Sequence, residues 1–164
     1  CPGRFEASRG FPCAAGTGAN LARVLVELNR RAPAIFTSPD RMAYVVTNSW
    51  VQVEYPALTG RSVPTEAEVL EAANLTRLAA EIASVEWVIA CGAQAQAAVR
   101  ALALTEPRWR AAYARHLSQR SVNMIPGGSN TSERISRWAD LLLDQWTGQA
   151  GVPGSRQKVS APVL

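Results

Sequence analysis

The residues best suited to chemistry lie together in one stretch of the chain, around its single histidine. His116 is flanked by Arg115 and Arg120 and by the hydroxyls of Ser118 and Ser121. A lone histidine is more often an ordinary surface or core residue than a catalytic one. Cations and small hydroxyls around it, however, are groups that contact a phosphodiester or stabilise a developing anion. This stretch is therefore the first candidate site.

Two other stretches could contribute to a site. Residues 43–47 (AYVVT) form a β-branched apolar run too short for a helix, which predicts a buried strand. Asn48 follows this run directly, and open α/β sheets place ligand-binding groups at the carboxyl ends of strands. A turn-forming Asn is the other interpretation. The loop at 10–18 (GFPCAAGTG) is rich in glycine, so its backbone could approach a ligand closely, although a plain turn explains it equally well.

The apolar spacing predicts the elements that must position these residues. Helices are predicted at 20–31, from 65 through 82, at 93–104 and at 131–146. Asn20 is the expected N-cap of the first helix, and Thr65 with Glu68 forms a capping box at the start of the second. A buried strand at 87–91, followed by Gly92 and a helix, is the βα unit of a parallel sheet.

Length and composition set the remaining limits. The 164 residues predict one domain at 1–147, with a flexible tail at 148–164 that is rich in Gly, Pro and Ser. Residues 1–6 are expected to be a loop, and 122–125 a short edge element. No apolar run reaches membrane-spanning length and no signal peptide is evident, so a cytoplasmic protein is expected.

Charge and motifs exclude several function classes. The net charge of +4 and the isoelectric point near 9.4 permit a polyanionic partner without requiring one. Three cysteines without a CxxC spacing disfavour a disulfide framework or a zinc site. The phosphate-loop, HExxH and GxSxG motifs are absent from the sequence.

Several stretches, taken in order, resemble the motifs of the uracil-DNA glycosylase superfamily over nearly the whole chain. Residues 1–6 (CPGRFE), followed by 10–12 (GFP) and Gly18, are similar to its first motif, a Pro-Gly loop leading to a Gly-x-Pro-Phe turn and a helix. Residues 46–48 (VTN) resemble the strand whose terminal Asn binds the extruded base. Residues 116–121 (HLSQRS) resemble its His-Pro-Ser-x-x-Ser loop.

The middle of the chain extends this resemblance, because residues 65–68 (TEAE) and 88–95 (VIACGAQA) are similar to the middle of that fold. The resemblance implies a three-layer α/β/α sandwich with a central, mainly parallel four-stranded sheet. It implies a monomeric, metal-free and cofactor-free DNA glycosylase that flips out a base and hydrolyses its N-glycosidic bond. The expected partner is double- or single-stranded DNA, and no association with a membrane is expected.

The same resemblance assigns roles to the candidate residues. His116 would stabilise the anionic base as it leaves, and the Asn48 amide would bind its Watson–Crick edge. The residue that handles the attacking water precedes the position of Cys1 in the family, and within this chain Glu6 is the candidate. The DNA backbone would be held by Arg115, Ser118, Arg120 and Ser121.

Departures from the family pattern fall in the base pocket and the DNA loop. Gly3 replaces a Tyr that blocks a thymine methyl, and Cys13 stands where a base-stacking Phe is usual, a role that Phe11 could take. Leu117 replaces a Pro, and Arg120 stands where a Leu wedge is common. The cysteines that bind an iron–sulfur cluster in some members are absent, so no cluster is expected.

The leading hypothesis is thus a glycosylase for uracil or for a bulkier modified pyrimidine, the latter pointing to defence against modified phage DNA rather than to repair. A catalytically silent, nucleic-acid-binding relative is one alternative, which predicts salt-sensitive DNA binding without base release. An unrelated α/β nucleotide-binding protein, with the loop at 10–18 as its site, is another.

Overall fold

A two-stranded parallel sheet organises the computed structural model, which describes residues 1–105 and 108–150. Strand β1 (Trp87–Cys91) is an aromatic and β-branched run, and β2 (Arg110–Ala114) pairs with it in register from Trp87 opposite Arg110 to Cys91 opposite Ala114. The helices are α1 (Arg4–Arg9), α2 (Gly16–Arg31), α3 (Pro56–Thr59), α4 (Glu66–Val69), α5 (Ala72–Glu81), α6 (Ala93–Thr105), α7 (Gln119–Asn123) and α8 (Thr131–Ala150). None of these helices is long and apolar enough to cross a membrane.

The two faces of the sheet carry two separate hydrophobic cores, because successive side chains of a strand point to opposite faces. Trp87 and Ile89 pack with α2 and α8, where Trp146 stacks on Trp87 with ring centroids 3.7 Å apart. Val88 and Ala90 pack with α4, α5 and α6. Helices therefore cover both faces of a small sheet, which makes the chain a mixed α/β fold in which helices dominate.

The hydrogen bonds between the strands show which backbone groups of β1 face β2. Arg110 N–H donates to Glu86 C=O (2.8 Å), and Gly92 N–H donates to Ala114 C=O (2.9 Å). In a parallel pair alternate residues turn both their N–H and C=O toward the same neighbour. The residues of β1 that turn these groups away from β2 are therefore Trp87, Ile89 and Cys91. We call this side the outer edge of β1.

The predicted four-stranded sheet is not found in the described part of the chain, where the sheet has two strands. The predicted strand at 43–47 is wrong. A 3-10 turn occupies Arg41–Ala43, and residues 45–47 are unassigned chain that makes no backbone hydrogen bond to another described residue. The β-branched sequence favours an extended backbone there, but a strand also requires a neighbour to complete its ladder.

Several other local predictions were also wrong. Residues 1–6 are not all loop, since α1 begins at Arg4, where the Glu6 carboxylate caps Gly3 N–H. The helix predicted from 65 through 82 breaks after α4, although its capping box is confirmed. The expected edge element at 122–125 belongs in part to α7.

The predicted tail at 148–164 is only partly testable. Helix α8 extends to Ala150, so the first three of these residues are helical, and the rest of the predicted tail lies outside the described residues.

Candidate functional site

A cavity of about 550 Å³ runs along the outer edge of β1 and past its carboxyl end. Its polar lining includes Cys13, Asn48, His116, Ser118 and Arg120. Its apolar lining includes Leu21, Val46, Leu78, Ile82, Val88 and Val99. The polar residues come from separate stretches of the chain, so the fold brings together groups that are far apart in sequence.

The imidazole of His116 is held in a defined tautomer. Ser118 N–H donates to His116 Nδ1 (3.0 Å), so a neutral ring carries its proton on Nε2. Desolvation is the main cause that lowers the pKa of His116, although the residue is still partly accessible to solvent. At neutral pH the ring is therefore uncharged, and Nε2–H is a donor without a partner among the described residues. Such a donor can stabilise negative charge that develops on an oxygen.

Glycine at position 92 makes room for this imidazole. Gly92 has φ +92°, and a Cβ placed there would lie 3.1 Å from His116 Cβ and 3.4 Å from its Cδ2. The residue directly after β1 must therefore lack a side chain if the histidine is to pack against the end of the strand.

Two buried side-chain donors fix the backbone before and after His116. Asn20 Nδ2 donates to Leu117 C=O (2.9 Å), and Trp138 Nε1 donates to Arg115 C=O (2.9 Å). The prediction that Asn20 caps a helix is wrong, because α2 already begins at Gly16 and the Asn20 amide is buried inside the fold. Asn20 is instead a positioning residue for residues 115–118, between β2 and α7, which we call the histidine loop.

The segment around Asn48 is anchored by one face of α5. Asn74 Nδ2 donates to Ser49 C=O (2.8 Å), and Arg77 donates to Asn48 C=O (3.0 Å). Thr47 donates its hydroxyl hydrogen to Glu81, which also pairs with Arg77. These bonds occupy the backbone and leave the Asn48 amide, which lines the cavity, without a partner in the part of the chain that the structure describes.

The predicted phosphate-binding residues divide into two groups. Ser118 caps α7 by accepting from Ser121 N–H (3.4 Å), so its oxygen already serves the fold. Arg120 lines the cavity, is exposed, and forms no ion pair with the residues described here. Arg115 is exposed but lies outside the lining, as does Ser121.

The predicted loop at 10–18 is shorter than expected, because α2 begins at Gly16; Glu6 organises the remaining loop at 10–15 and does not line the cavity. Its carboxylate accepts from Gly3 N–H (2.7 Å) and from Cys13 N–H (2.5 Å). Arg41 donates to the carbonyls of Pro12 and Cys13 and lies over the Phe11 ring, 4.8 Å from its centroid. The loop packs against the first turn of α2, because a Cβ at Gly18 would lie 1.9 Å from the Cys13 carbonyl oxygen.

All three cysteines line the cavity as free thiols. Burial raises the pKa of Cys13 to about 11 and the pKa of Cys91 to about 12, so both thiols stay protonated at neutral pH. In the described ranges, no cluster of three or more His, Cys, Asp or Glu residues could hold a metal ion.

A network of charges that the sequence analysis missed supports one wall of the cavity. Arg61 donates to both the buried Glu54 carboxylate (2.7 Å) and the Glu68 carboxylate (2.7 Å). These bonds lower the pKa of Glu54 and bring the pKa of Glu68 to about 2. Residues 62–64, which line the cavity, follow Arg61 directly. The capping box at Glu68 was visible in the sequence, but its partner Arg61 was not.

Half of the predicted site residues line the cavity. The predicted residues that line it are Cys13, Asn48, His116, Ser118 and Arg120, and those that do not are Gly3, Glu6, Phe11, Arg115 and Ser121. Comparison with known proteins adds no relative to this picture, since no family model, curated protein or solved structure matches the chain.

Proposed function

We propose that the chain is a DNA glycosylase of the uracil-DNA glycosylase type. The observation that carries this proposal is the pairing of two unpartnered groups in one cavity of the described chain, the Nε2–H donor of a neutral His116 and the amide of Asn48. An amide can donate and accept at once, which suits the Watson–Crick edge of a pyrimidine. A neutral imidazole donor suits the oxygen that becomes negative as the base leaves.

The reaction would begin with a base turned out of the duplex into the cavity. The bond between the base nitrogen and the sugar carbon breaks, its electron pair stays with the base, and His116 Nε2–H stabilises the resulting anion at a carbonyl oxygen. Water adds to the sugar carbon and loses a proton, which leaves an abasic site. Cys13, which lines the cavity in place of a larger side chain, would leave room for uracil or for a bulkier modified pyrimidine, including modified bases of phage DNA.

Contacts to the DNA backbone form the second part of the proposal. The guanidinium of Arg120, which lines the same cavity as His116, would hold the phosphates around the flipped nucleotide together with Arg115 and the hydroxyls of Ser118 and Ser121. The net charge of +4 is compatible with DNA of either strandedness. The Ser118 cap suggests that its oxygen contributes less than the arginines.

The wider expectations belong to the same proposal. A three-layer sandwich with a four-stranded sheet would place β1 and β2 beside two further strands. The working form would be a cytoplasmic monomer that needs no metal and no cofactor.

One observation favours a second candidate, a related protein that binds DNA without cleaving it. Among the described residues that line the cavity there is no carboxylate, because Glu6 is engaged by Gly3 and Cys13. Hydrolysis would then lack the group that handles water, and only base recognition would remain. The third hypothesis, a nucleotide site at 10–18, has less support, since the close approach at Gly18 serves packing of the loop against α2.

Base release from duplexes tests these candidates. Duplexes carrying uracil, hydroxymethylcytosine or glucosylated cytosine are incubated with the protein, and alkali then converts abasic sites into strand breaks. We expect breaks with at least one of them, and a roughly 100-fold or greater loss in His116→Ala with DNA binding retained. Leu104→Ala, at a side chain that is 87% exposed on α6, is the matched control and should behave as the parent.

The outcomes separate the candidates. No strand break with any duplex, together with salt-sensitive binding, would support the silent relative. Neither breaks nor binding would overturn both.

A further inference from the structure

Two exposed apolar side chains, Phe11 and Met42, lie on loops next to the cavity. Phe11 is 42% exposed and Met42 is 78% exposed, and neither lines the cavity. Arg41 connects them, since it directly precedes Met42 and places its guanidinium over the Phe11 ring. The same guanidinium donates to the carbonyl of Cys13 (3.2 Å), which lines the cavity. We call Phe11 and Met42 the apolar pair, which therefore lies just outside the cavity lining.

The loop that carries Phe11 is held by charged side chains from two elements. Glu6 and Arg9 of α1 each bind a backbone group of this loop. Arg41 binds two further carbonyls of the loop from the 3-10 turn. A loop fixed in this way loses little freedom when it meets a partner, so the exposed Phe11 ring is preorganised for contact.

The charges beside the apolar pair indicate the kind of partner. Arg9 and Arg41 bind backbone carbonyls and form no ion pair within the described part of the chain, so their remaining N–H groups are available to an anion. The nearby carboxylates of Glu6 and Asp40 accept from backbone N–H groups instead. Apolar side chains beside available guanidinium donors suit a partner that combines anionic groups with flat apolar faces, and a nucleic acid has both.

The proposed flipped base creates a place that the apolar pair fits. A base turned into the cavity leaves a gap in the stack of bases, and this gap has to be filled. Proteins that open base stacks insert apolar side chains, and Phe and Met are among those used. Of the predicted DNA contacts, Arg120 lines the cavity, but its charged guanidinium suits a phosphate rather than an apolar gap. The apolar pair has the chemistry that Arg120 lacks.

We propose that Phe11 and Met42 form a wedge that enters the base stack when a base turns into the cavity. Arg41 is the positioning residue of this wedge, and its remaining N–H groups bind the phosphate beside the gap. The inference rests on the proposed function, since a wedge is needed only if a base leaves the stack. It adds a second contact with DNA, formed by the loop at 10–15 and the 3-10 turn, to the contact at the histidine loop.

Base release from duplex and single-stranded DNA tests the wedge. The parent and the double variant Phe11→Ala/Met42→Ala are incubated with oligonucleotides that carry uracil, hydroxymethylcytosine or glucosylated cytosine, either alone or paired with a complementary strand. We expect the variant to lose roughly tenfold or more in the rate of release from the duplex. It should keep the parent rate on the single strand, which has no base pairs to open. Leu141→Ala, at a residue that is 55% exposed on α8, is the matched control and should keep both rates.

A fluorescence measurement reports the same step without base release. The fluorescent base 2-aminopurine, placed next to the modified base in the duplex, brightens when its stacking is disturbed. We expect brightening on binding of the parent and of Leu141→Ala, and the loss of most of it with the double variant. Arg41→Met, which keeps the apolar pair but removes the guanidinium that positions it, should give an intermediate signal.

The outcomes separate the wedge from the glycosylase. Release that falls equally on both substrates, or on neither, would overturn the wedge and leave the glycosylase in place. Brightening that depends on the apolar pair, with no release by the parent, would support a wedge in a DNA-binding relative that does not cleave. No brightening with the parent would overturn the wedge. So would a duplex-specific loss in Met124→Ala, at an exposed residue directly after α7, without such a loss in the double variant.

Discussion

The two outer edges of the sheet differ in how their backbone groups are hydrogen-bonded. On β2, the Gln145 side chain of α8 accepts from Tyr113 N–H (3.0 Å) and donates to Tyr113 C=O (2.9 Å), as a neighbouring strand would. On β1, the equivalent groups of Ile89 face the cavity without a described partner. Proteins commonly cover or block the edges of their sheets. The contrast indicates that the edge of β2 is covered by a side chain, whereas the edge of β1 is open to the cavity in the part of the chain that the structure describes.

A pair of proline substitutions gives the largest expected effect and tests which side of β1 is bonded. Ala90→Pro removes an N–H that faces β2 across the ladder, whereas Cys91→Pro removes an outward N–H. We expect Ala90→Pro to lower the free energy of unfolding by about 3 kcal/mol more than Cys91→Pro, through the lost bond and the clash of the ring with β2. Urea unfolding measures the difference. Equal losses would mean that the two edges of β1 do not differ.

Removing the amide that covers β2 should have the next largest effect. Gln145→Leu leaves the N–H and C=O of Tyr113 without their partner and should cost about 2 kcal/mol. Gln145→Glu keeps the acceptor but loses the donor, so its loss should be intermediate. Leu141→Ala, an exposed position on the same helix, is the control and should change stability by less than about 0.5 kcal/mol. If Gln145→Leu proved as stable as the parent, that result would contradict the comparison of the edges.

The point where the open edge reaches the site can be tested at Gly92. Gly92→Ala forces a side chain into a left-handed backbone and against His116, at an expected cost of about 1–2 kcal/mol. Gly60→Ala has a similar positive φ (+74°) but nothing within 4 Å, so it carries the backbone strain alone. If the proposed function holds, base release should fall in Gly92→Ala and persist in Gly60→Ala. Equal behaviour of the two variants would show that the contact with His116 is unimportant.

The smallest expected effect is on the pH dependence of stability, which should involve the cavity beside β1 but not the Gln145 contact that covers β2. The lowered pKa values of Glu54 and Glu68 mean that the Arg61 network stabilises the fold fully above about pH 4.5, and that this contribution is lost as the pH falls toward 2. The wall of the cavity at 62–64 should therefore loosen in acid, whereas the Gln145 amide does not titrate.

Urea midpoints at about pH 6 and about pH 3 check this expectation. The parent should lose more stability between the two than Arg61→Met, which lacks the network at both pH values. If the parent and Arg61→Met showed the same pH dependence of stability, the Arg61 network would not be its cause.

Sequence patterns predicted the elements whose cause is local. Helix α2 was predicted from the apolar spacing of Leu21, Val24, Leu25 and Leu28. All four side chains are buried on one face of the helix, which is why the pattern was informative. The run at 87–91 was correctly predicted as a strand. By contrast, β2 (RAAYA) is rich in alanine, which has little preference for strands, so its conformation depends on pairing with β1 and on Gln145.

The parts of the site that were missed depend on contacts between distant residues. Asn20 has the residue type of a helix cap, and nothing near it in sequence reveals that its amide bonds Leu117, 97 positions away. The residues Asn74, Arg77 and Glu81 do share one face of α5, which was a detectable signal, but only the fold shows that this face holds the chain at 47–49. The histidine loop and Asn48 were identified by residue type, and their meeting in one cavity required the structure.

The placement of the cysteines has a practical consequence for chemical labelling. Cys1, Cys13 and Cys91 all face the same cavity, and the raised pKa values of Cys13 and Cys91 slow their alkylation at neutral pH. Labelling of these cysteines with a maleimide therefore reports on the accessibility of this one cavity. Any ligand that occupies this cavity should shield the thiols nearest to it, so the pattern of modified cysteines would locate the ligand without any change to the sequence.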